Sequence, residues 1–188
     1  RIEGNVNKRG EGMFDLMDGI GAHEVVVESQ IHNADYSDLE TRQVEEVIWG
    51  WRDSILDLKK DSRFEYILVF KNRGEAAGAS LTHPHSEIIA MPTVPVRVKQ
   101  ELDGSRNYYD YKERCAFCDI IREEIESNTR IVSENEDFIC ITPFASRFPF
   151  ETWILPKTHS SSFEDSQKHE VSNLALILKD LNSRMNRV

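Results

Sequence analysis

The sequence predicts an α+β fold built from two similar halves. Segments rich in β-branched residues alternate along the chain with segments of helical spacing. Neighbouring strand segments are separated by short polar or glycine-rich loops, which predicts antiparallel sheets with packed helices. One order of elements, a strand, a histidine-containing turn and a long helix, occurs at 25–60 and again at 152–187. We therefore expect a first half over residues 1–105 and a second half over residues 106–188.

The first half is expected to hold one long helix and three strands. Glycines interrupt residues 1–22, which predicts loops that could include extended pieces. The apolar stripe within 39–60 predicts the helix. Strands are predicted at 23–29, 64–72 and 88–91, the last two pairing across the loop between them. Asp103, Gly104 and Ser105 are the best candidate for the boundary between the halves.

The second half repeats the mixture of helices and strands. Cys115 and Cys118 lead into an amphipathic segment that predicts a helix. The remaining predicted elements are strands at 130–133, 137–142 and 151–156 and a helix at 167–187.

Composition excludes several classes of function. The 188 residues are 39% hydrophobic, enough for a real core. The 33 acidic and 23 basic residues give a net charge of −10, which disfavours a nucleic-acid partner. No apolar run approaches the roughly 20 residues that cross a bilayer, and no leader opens the chain. We expect a soluble, cytoplasmic protein without a membrane partner. Because the chain starts at Arg1 and stops within a helical pattern, we expect it to be incomplete at both ends.

Three cysteines form no even-numbered disulfide framework. Cys115 and Cys118 have the spacing of zinc ligands but supply only two of four. His159 is a candidate third ligand and His169 a more remote one, while two buried structural thiols are the alternative. Cys140 lies in an apolar segment and is expected in the core.

A His-Pro-His stretch is the strongest candidate for chemistry. His83 and His85 are two residues apart, and Pro84 restricts His83 to extended backbone, so both rings are expected to address one site. A neutral imidazole can bind zinc or act as a nucleophile or base. Two incidental histidines at a strand edge are the alternative. His23, at the start of a strand, is expected to have a structural role.

The loop before this stretch is a candidate phosphate-binding segment. Gly74 and Gly78 permit close backbone approach, Ser80 offers a hydroxyl and Asn72 an amide. An ordinary hairpin connection is the alternative.

These features together resemble the galactose-1-phosphate uridylyltransferase branch of the histidine-triad superfamily. The most specific match is the stretch from Asn72 to Glu87, which contains the loop and the His-Pro-His pair. Cys115-Ala-Phe-Cys118-Asp-Ile-Ile and the segment from Phe150 to His159 are similar to parts of a histidine-triad repeat. The resemblance runs from about Gly19 to the C-terminus. It implies two histidine-triad-like halves with the chemistry in the first, and a homodimer.

The resemblance also implies a reaction. His85 matches the nucleophile that takes UMP from UDP-glucose as a covalent nucleotidyl-histidine and passes it to galactose 1-phosphate or another hexose 1-phosphate. Asn72, Gly78 and Ser80 match phosphate-positioning residues. The alternatives are adenylyl transfer from ADP-glucose, a nucleotide hydrolase of the same superfamily, and a zinc-stabilised nucleotide-binding or scaffold protein without turnover.

Zinc is the implied metal. His32 and His83 match zinc ligands of the first half, with two cysteines expected before Arg1. Cys115, Cys118 and His159 match those of the second half, with a fourth ligand expected after Val188.

Glu87 departs from the family pattern at a substrate-binding position. The family has glutamine two residues after the nucleophile, and a glutamine amide can donate a hydrogen bond to a phosphoryl oxygen. An ionised carboxylate can only accept and repels phosphate. The sequence therefore leaves three outcomes open: reduced activity, a protonated Glu87 or a different substrate.

Overall fold

A computed structural model of the protein describes residues 2–79 and 81–187. It contains four helices and eight strands in these two ranges, and the mixture of helices with antiparallel sheets confirms the α+β prediction. The strands are β1 Arg9–Glu11, β2 Phe14–Leu16, β3 Ala22–Val27, β4 Tyr66–Phe70, β5 His85–Met91, β6 Ile131–Glu134, β7 Phe138–Ile141 and β8 Trp153–Pro156. The helices are α1 Thr41–Leu58, α2 Val96–Lys112, α3 Ala116–Ser127 and α4 Lys168–Met185.

The chain divides into two compact units. The first comprises Arg1–Asn33 and Gly50–Lys99, and the second comprises Ala34–Trp49 and Gln100–Val188. Within the described residues, no helix is both long enough and apolar enough to cross a bilayer.

The sheet of the first unit has the strand order β3-β5-β4, with both pairs antiparallel. Its central strand alternates between its two faces, as a half-buried strand does. Ile88 and Ala90 point to one face and form a core with Leu58 of α1. On that face the indole N–H of Trp51 also donates to the hydroxyl of the fully buried Ser86, at 2.6 Å. The opposite face carries His85 and Glu87.

The sheet of the second unit has the order β6-β7-β8, also antiparallel. All four residues of β7 are buried. Ile139 and Ile141 pack with Ile121 of α3, while Phe138 and Cys140 belong to a separate cluster that contains Ile177 of α4. The central strand is therefore covered on both faces. The burial of Cys140 confirms the prediction that it belongs to the core.

Helix α2 continues through Asp103, Gly104 and Ser105, the residues predicted to mark the boundary between the halves. A glycine inside a helix has only a modest cost relative to alanine. One expectation about local geometry is wrong. The segment through His83 and His85 is not a single extended run, because the chain bends at Thr82 and His83 and β5 begins only at His85.

Candidate active site and metal site

His85 lies at the first position of the central strand β5, where it pairs with Val27 of β3. Its Nδ1 is 2.7 Å from the carbonyl oxygen of His83. A carbonyl can only accept, so Nδ1 carries the proton and the lone pair of the neutral ring is on Nε2. The side chain is 5% exposed. This arrangement supplies a nucleophilic nitrogen of fixed orientation.

Glu87 is beside that nitrogen on the same face of β5. Its Oε1 is 3.9 Å from His85 Nε2, and its Oε2 is 2.7 Å from Nε2 of His23 on β3. An N–H at that position of His23 donates to the carboxylate. Glu87 is therefore tied to the neighbouring strand while one of its oxygens faces the reactive ring.

His83 has partners different from those of His85. Its Nε2 donates to the carbonyl oxygen of Ser29 at 2.7 Å, which leaves the lone pair on Nδ1. That Nδ1 is 3.2 Å from Nδ1 of His32, and Thr82 lies 3.2 Å from the other nitrogen of His32. Two nitrogens bound to one tetrahedral zinc ion at about 2.0–2.1 Å would be separated by a similar distance. The pair can thus offer two ligands to a metal ion.

The loop between β4 and β5 brings two of the predicted phosphate-binding residues together. Gly78 has φ +83°, in the left-handed region that glycine adopts readily, and ends a short 3₁₀ turn at Glu75–Ala77. A β-carbon added to Gly78 would lie 3.9 Å from the amide nitrogen of Asn72. Ser80, the third predicted residue, lies outside the described residues.

A buried ion pair anchors the ends of the strands around this site. The carboxylate of Glu28, which follows β3, is fully buried and paired with the ammonium of Lys71, which follows β4. The backbone N–H of Glu28 also donates to the carbonyl oxygen of Pro84 at 3.1 Å. Removing one member of a buried pair leaves an uncompensated charge, and the two members are next to Ser29 and Asn72 in the chain.

Cys115, Cys118 and His159 form the second cluster. Cys115 is the residue before α3, Cys118 is in its first turn, and His159 follows β8. Their ligand atoms all lie within 4.8 Å of one another, with Cys118 Sγ 3.3 Å from His159 Nδ1. In the part of the chain that the structure describes, these residues are the one group of three or more that could hold a metal ion. The geometry fits bonds of about 2.3 Å to sulfur and 2.0–2.1 Å to nitrogen.

Cys140 does not belong to this group, because it lies in the apolar core of the second unit. Burial in an apolar core raises the pKa of its thiol to about 11. The pKa of Cys118 is also raised, first by burial and then by its hydrogen bond with Cys115. A bound metal ion reverses this effect because it stabilises the thiolate.

Two consecutive parts of the chain match one family of known proteins. Residues 2–95 match the N-terminal domain of galactose-1-phosphate uridyl transferase, and residues 101–188 match its C-terminal domain. The chain belongs to the galactose-1-phosphate uridylyltransferase family. The resemblance inferred from the sequence is therefore confirmed.

Two relatives with different names are almost equally similar to this member of the family. The chain is 35% identical to an ADP-glucose phosphorylase of Arabidopsis thaliana over 86% of this chain and 44% of the relative. It is 34% identical to a galactose-1-phosphate uridylyltransferase of Thermotoga maritima over 97% of this chain and 57% of the relative. The chain thus spans about half the length of these relatives.

Solved structures agree on the fold. The crystal structure of an ADP-glucose phosphorylase from Arabidopsis thaliana with bound ADP-glucose has a TM-score of 0.85 at 32% identity, over 92% of this chain and 54% of that chain. A uridylyltransferase structure has a TM-score of 0.85 at 33% identity, over 92% of this chain and 55% of that chain.

The contact between His23 and Glu87 was not predicted from the sequence. His23 was expected to have a structural role, yet it binds the carboxylate beside the candidate nucleophile. Val25 pairs with Glu87, and residues two apart on a strand share a face. A correct register for β3 and β5 would have placed His23 next to Glu87.

Proposed function

We propose that this protein is a nucleotidyltransferase that moves a nucleoside monophosphate between a nucleotide sugar and a phosphate acceptor through a covalent bond to His85. The hydrogen bond from His85 Nδ1 to the carbonyl oxygen of His83 carries the proposal. It holds the one ring tautomer that has its lone pair on Nε2, and it stabilises the positive charge that develops on the ring during attack.

In the first step, Nε2 of His85 attacks the α-phosphorus of the nucleotide sugar. The bond from that phosphorus to the bridging oxygen breaks, and hexose 1-phosphate leaves with the electron pair. In the second step, an oxygen of the acceptor phosphate attacks the same phosphorus, and the electron pair of the P–N bond returns to Nε2. A phosphate oxygen is already anionic, so this step needs no general base. The covalent intermediate divides one difficult transfer into two easier ones.

Asn72 and Gly78 are proposed to position the phosphates, together with Ser80. The side-chain amide of Asn72 can donate to a phosphoryl oxygen, and the absence of a β-carbon at Gly78 leaves room for it. The Glu28–Lys71 pair supports this geometry from the strand ends.

UDP-glucose is the first proposed donor, with galactose 1-phosphate as acceptor, which would place the protein in galactose metabolism. ADP-glucose is the second candidate donor. It is favoured by the Arabidopsis relative, which is named ADP-glucose phosphorylase and has a solved structure with ADP-glucose bound.

Zinc is the proposed metal. Cys115, Cys118 and His159 would hold it in the second unit, and His32 with His83 would supply two ligands in the first. A zinc ion with such ligands contributes folding free energy and fixes the loops that carry them. A homodimer and a cytoplasmic location remain predictions from the sequence.

Intact-protein mass spectrometry tests the reaction. We expect exposure to UDP-glucose or ADP-glucose to add the mass of one UMP or AMP, respectively, and to release glucose 1-phosphate. His85→Ala should abolish the added mass. His169→Ala is the matched control, because this histidine is 65% exposed and belongs to the other unit.

The same experiment separates the alternatives. Labelling by one donor alone identifies the base. Free nucleotide that accumulates without an acceptor indicates a hydrolase. Nucleotide binding without labelling by either donor contradicts the proposed transfer and favours a binding protein.

A further inference from the structure

Glu87 creates an electrostatic problem for the proposed reaction. An ionised carboxylate has no hydrogen to donate, and its Oε1 is only 3.9 Å from the nitrogen that would carry the phosphorus. The side chain is 17% exposed, so water screens its charge incompletely. An anionic nucleotide bound to His85 would therefore be repelled by this group.

His23 is placed to cancel that charge. Its Nε2 is 2.7 Å from the second oxygen of Glu87, and imidazole is the side chain that changes charge between about pH 5 and 8. With His23 neutral, the pair has a charge of −1. With His23 protonated, the pair is neutral overall, as a glutamine would be.

The face around the pair contains few other charges. Val25 and Val27 lie beside His23 on β3, and they are 51% and 64% exposed. Phe70 of β4 pairs directly with Glu87, and the alternation of the strand places Tyr66 and Leu68 on the same face.

Most other charged groups near His23 are paired with one another or lie on the opposite face of the strand. The cavities that His23 lines also include Glu3, Asp18, Glu24, Asp57, Lys60, Asp61 and Arg63. Asp18 is bonded to Arg9 and Asn7, Asp57 to Lys60 and Asp61 to Arg63. Glu24 alternates to the opposite face of β3. The imidazoles of His85, His83 and His32 can also take up a proton, and their contribution is common to all the variants in the test.

We propose that His23 is a positioning residue that acts through Glu87: it holds the carboxylate in place and, in its protonated form, neutralises it while a nucleotide is bound. The inference rests on the proposed function. It adds that the His23–Glu87 pair allows the phosphate of a nucleotide to bind beside His85. It also assigns a role to the carboxylate of Glu87, two residues after the candidate nucleophile.

Binding of UMP and AMP tests the inference, because neither nucleotide has a leaving group that would allow transfer. Isothermal calorimetry on the zinc-saturated protein would compare the native chain with His23→Gln, Glu87→Gln and the double variant at about pH 6 and about pH 8. At the lower pH we expect His23→Gln to weaken binding roughly tenfold in the native background, and by less than about twofold in the Glu87→Gln background.

The pH dependence gives a second readout that a merely structural role would not change. We expect the advantage of the native chain over His23→Gln to shrink as pH rises, because neutral His23 no longer cancels the carboxylate. Glu87→Gln should bind more tightly than the native chain at the higher pH. The structure places His169 in the other unit, 3.7 Å from Asp137 and outside the group of Cys115, Cys118 and His159, so it is not the remote zinc ligand considered from the sequence. His169→Gln is therefore the matched control and should leave both profiles unchanged.

Two outcomes would overturn the inference in distinguishable ways. Equal weakening by His23→Gln in both backgrounds, or weakening that does not depend on pH, means that His23 does not act through Glu87, while the proposed transfer stands if His85 is labelled. Absence of UMP and AMP binding in every variant rejects the proposed function together with this inference.

Discussion

The two three-stranded sheets differ in what covers them. In the second unit, β7 is buried on both faces, against Ile121 of α3 on one side and Ile177 of α4 on the other. In the first unit, β5 packs against α1 on one face only, and the other face has exposed valines on β3 and the His85–Glu87 pair. A central strand can present reactive side chains to a ligand only where no helix covers it.

The histidines of the first unit and the metal-binding group of the second unit lie at different places relative to their sheets. The first unit has His85 on the central strand of its sheet and His23 on the strand beside it, on the face opposite α1. The second unit has Cys115, Cys118 and His159 at the start of a helix and after the end of a strand, away from the covered strand. We infer that the first unit supplies the chemistry and that the second supplies stability and a metal site.

The largest expected effect is on the free energy of unfolding, and it compares a buried residue of the second sheet with an exposed residue of the first. Ile139→Ala should lower the free energy of unfolding by about 2–5 kcal/mol, because Ile139 is fully buried and the change leaves a cavity. Val27→Ala, at 64% exposure, should change it by no more than about 0.5 kcal/mol. Urea unfolding monitored by circular dichroism measures both. A large loss for Val27→Ala would show that this face of the first sheet is covered in solution.

The second expected effect concerns the thiols of the second unit. With its pKa raised from 9.0 to about 11, Cys140 should hold about 100-fold less thiolate and alkylate at least that much more slowly than a free thiol. Zinc should protect Cys115 and Cys118 and leave Cys140 unchanged. Iodoacetamide labelling followed by peptide mass spectrometry reports each site. In Cys118→Ser, zinc should no longer protect Cys115; fast alkylation of all three thiols with zinc present would refute the site.

The smallest expected effect compares one carboxylate from each unit under acid. Hydrogen bonds from the backbone and guanidinium of Arg147 lower the pKa of Glu151 from 4.5 to about 2, and Arg63 lowers that of Asp61 from 3.8 to about 2. Each folded-state pKa lies below the unfolded value. Each group therefore stabilises the fold above the unfolded pKa, and this contribution is lost as pH falls toward 2.

Glu151→Gln should consequently be less stable than the native chain at neutral pH and lose less stability on acidification. Asp61→Asn should behave in the same way but more weakly, because Asp61 is 27% exposed and Glu151 only 4%. Urea midpoints between about pH 2 and 7 test this order. A larger effect at Asp61 would contradict it.

Much of the architecture follows from local sequence patterns. The helix predicted at 39–60 is α1, and the apolar stripe that predicted it supplies the buried Val44, Ile48 and Leu58. The Cys-x-x-Cys spacing and His159 were also identified in advance. The extended backbone expected at His83 was wrong, because the chain bends there before β5 begins at His85.

The sequence by itself determined the residue types: an imidazole next to small, polar loop residues, a cysteine pair, and a carboxylate two residues after His85. It determined these because residue chemistry and short-range spacing are local properties. Only the tertiary structure decided which nitrogen of His85 is free, that His83 faces His32, and that His23 binds Glu87. The last two contacts join residues 51 and 64 positions apart, and no periodicity within one segment specifies them. The first depends on the backbone conformation that brings the carbonyl oxygen of His83 to His85 Nδ1.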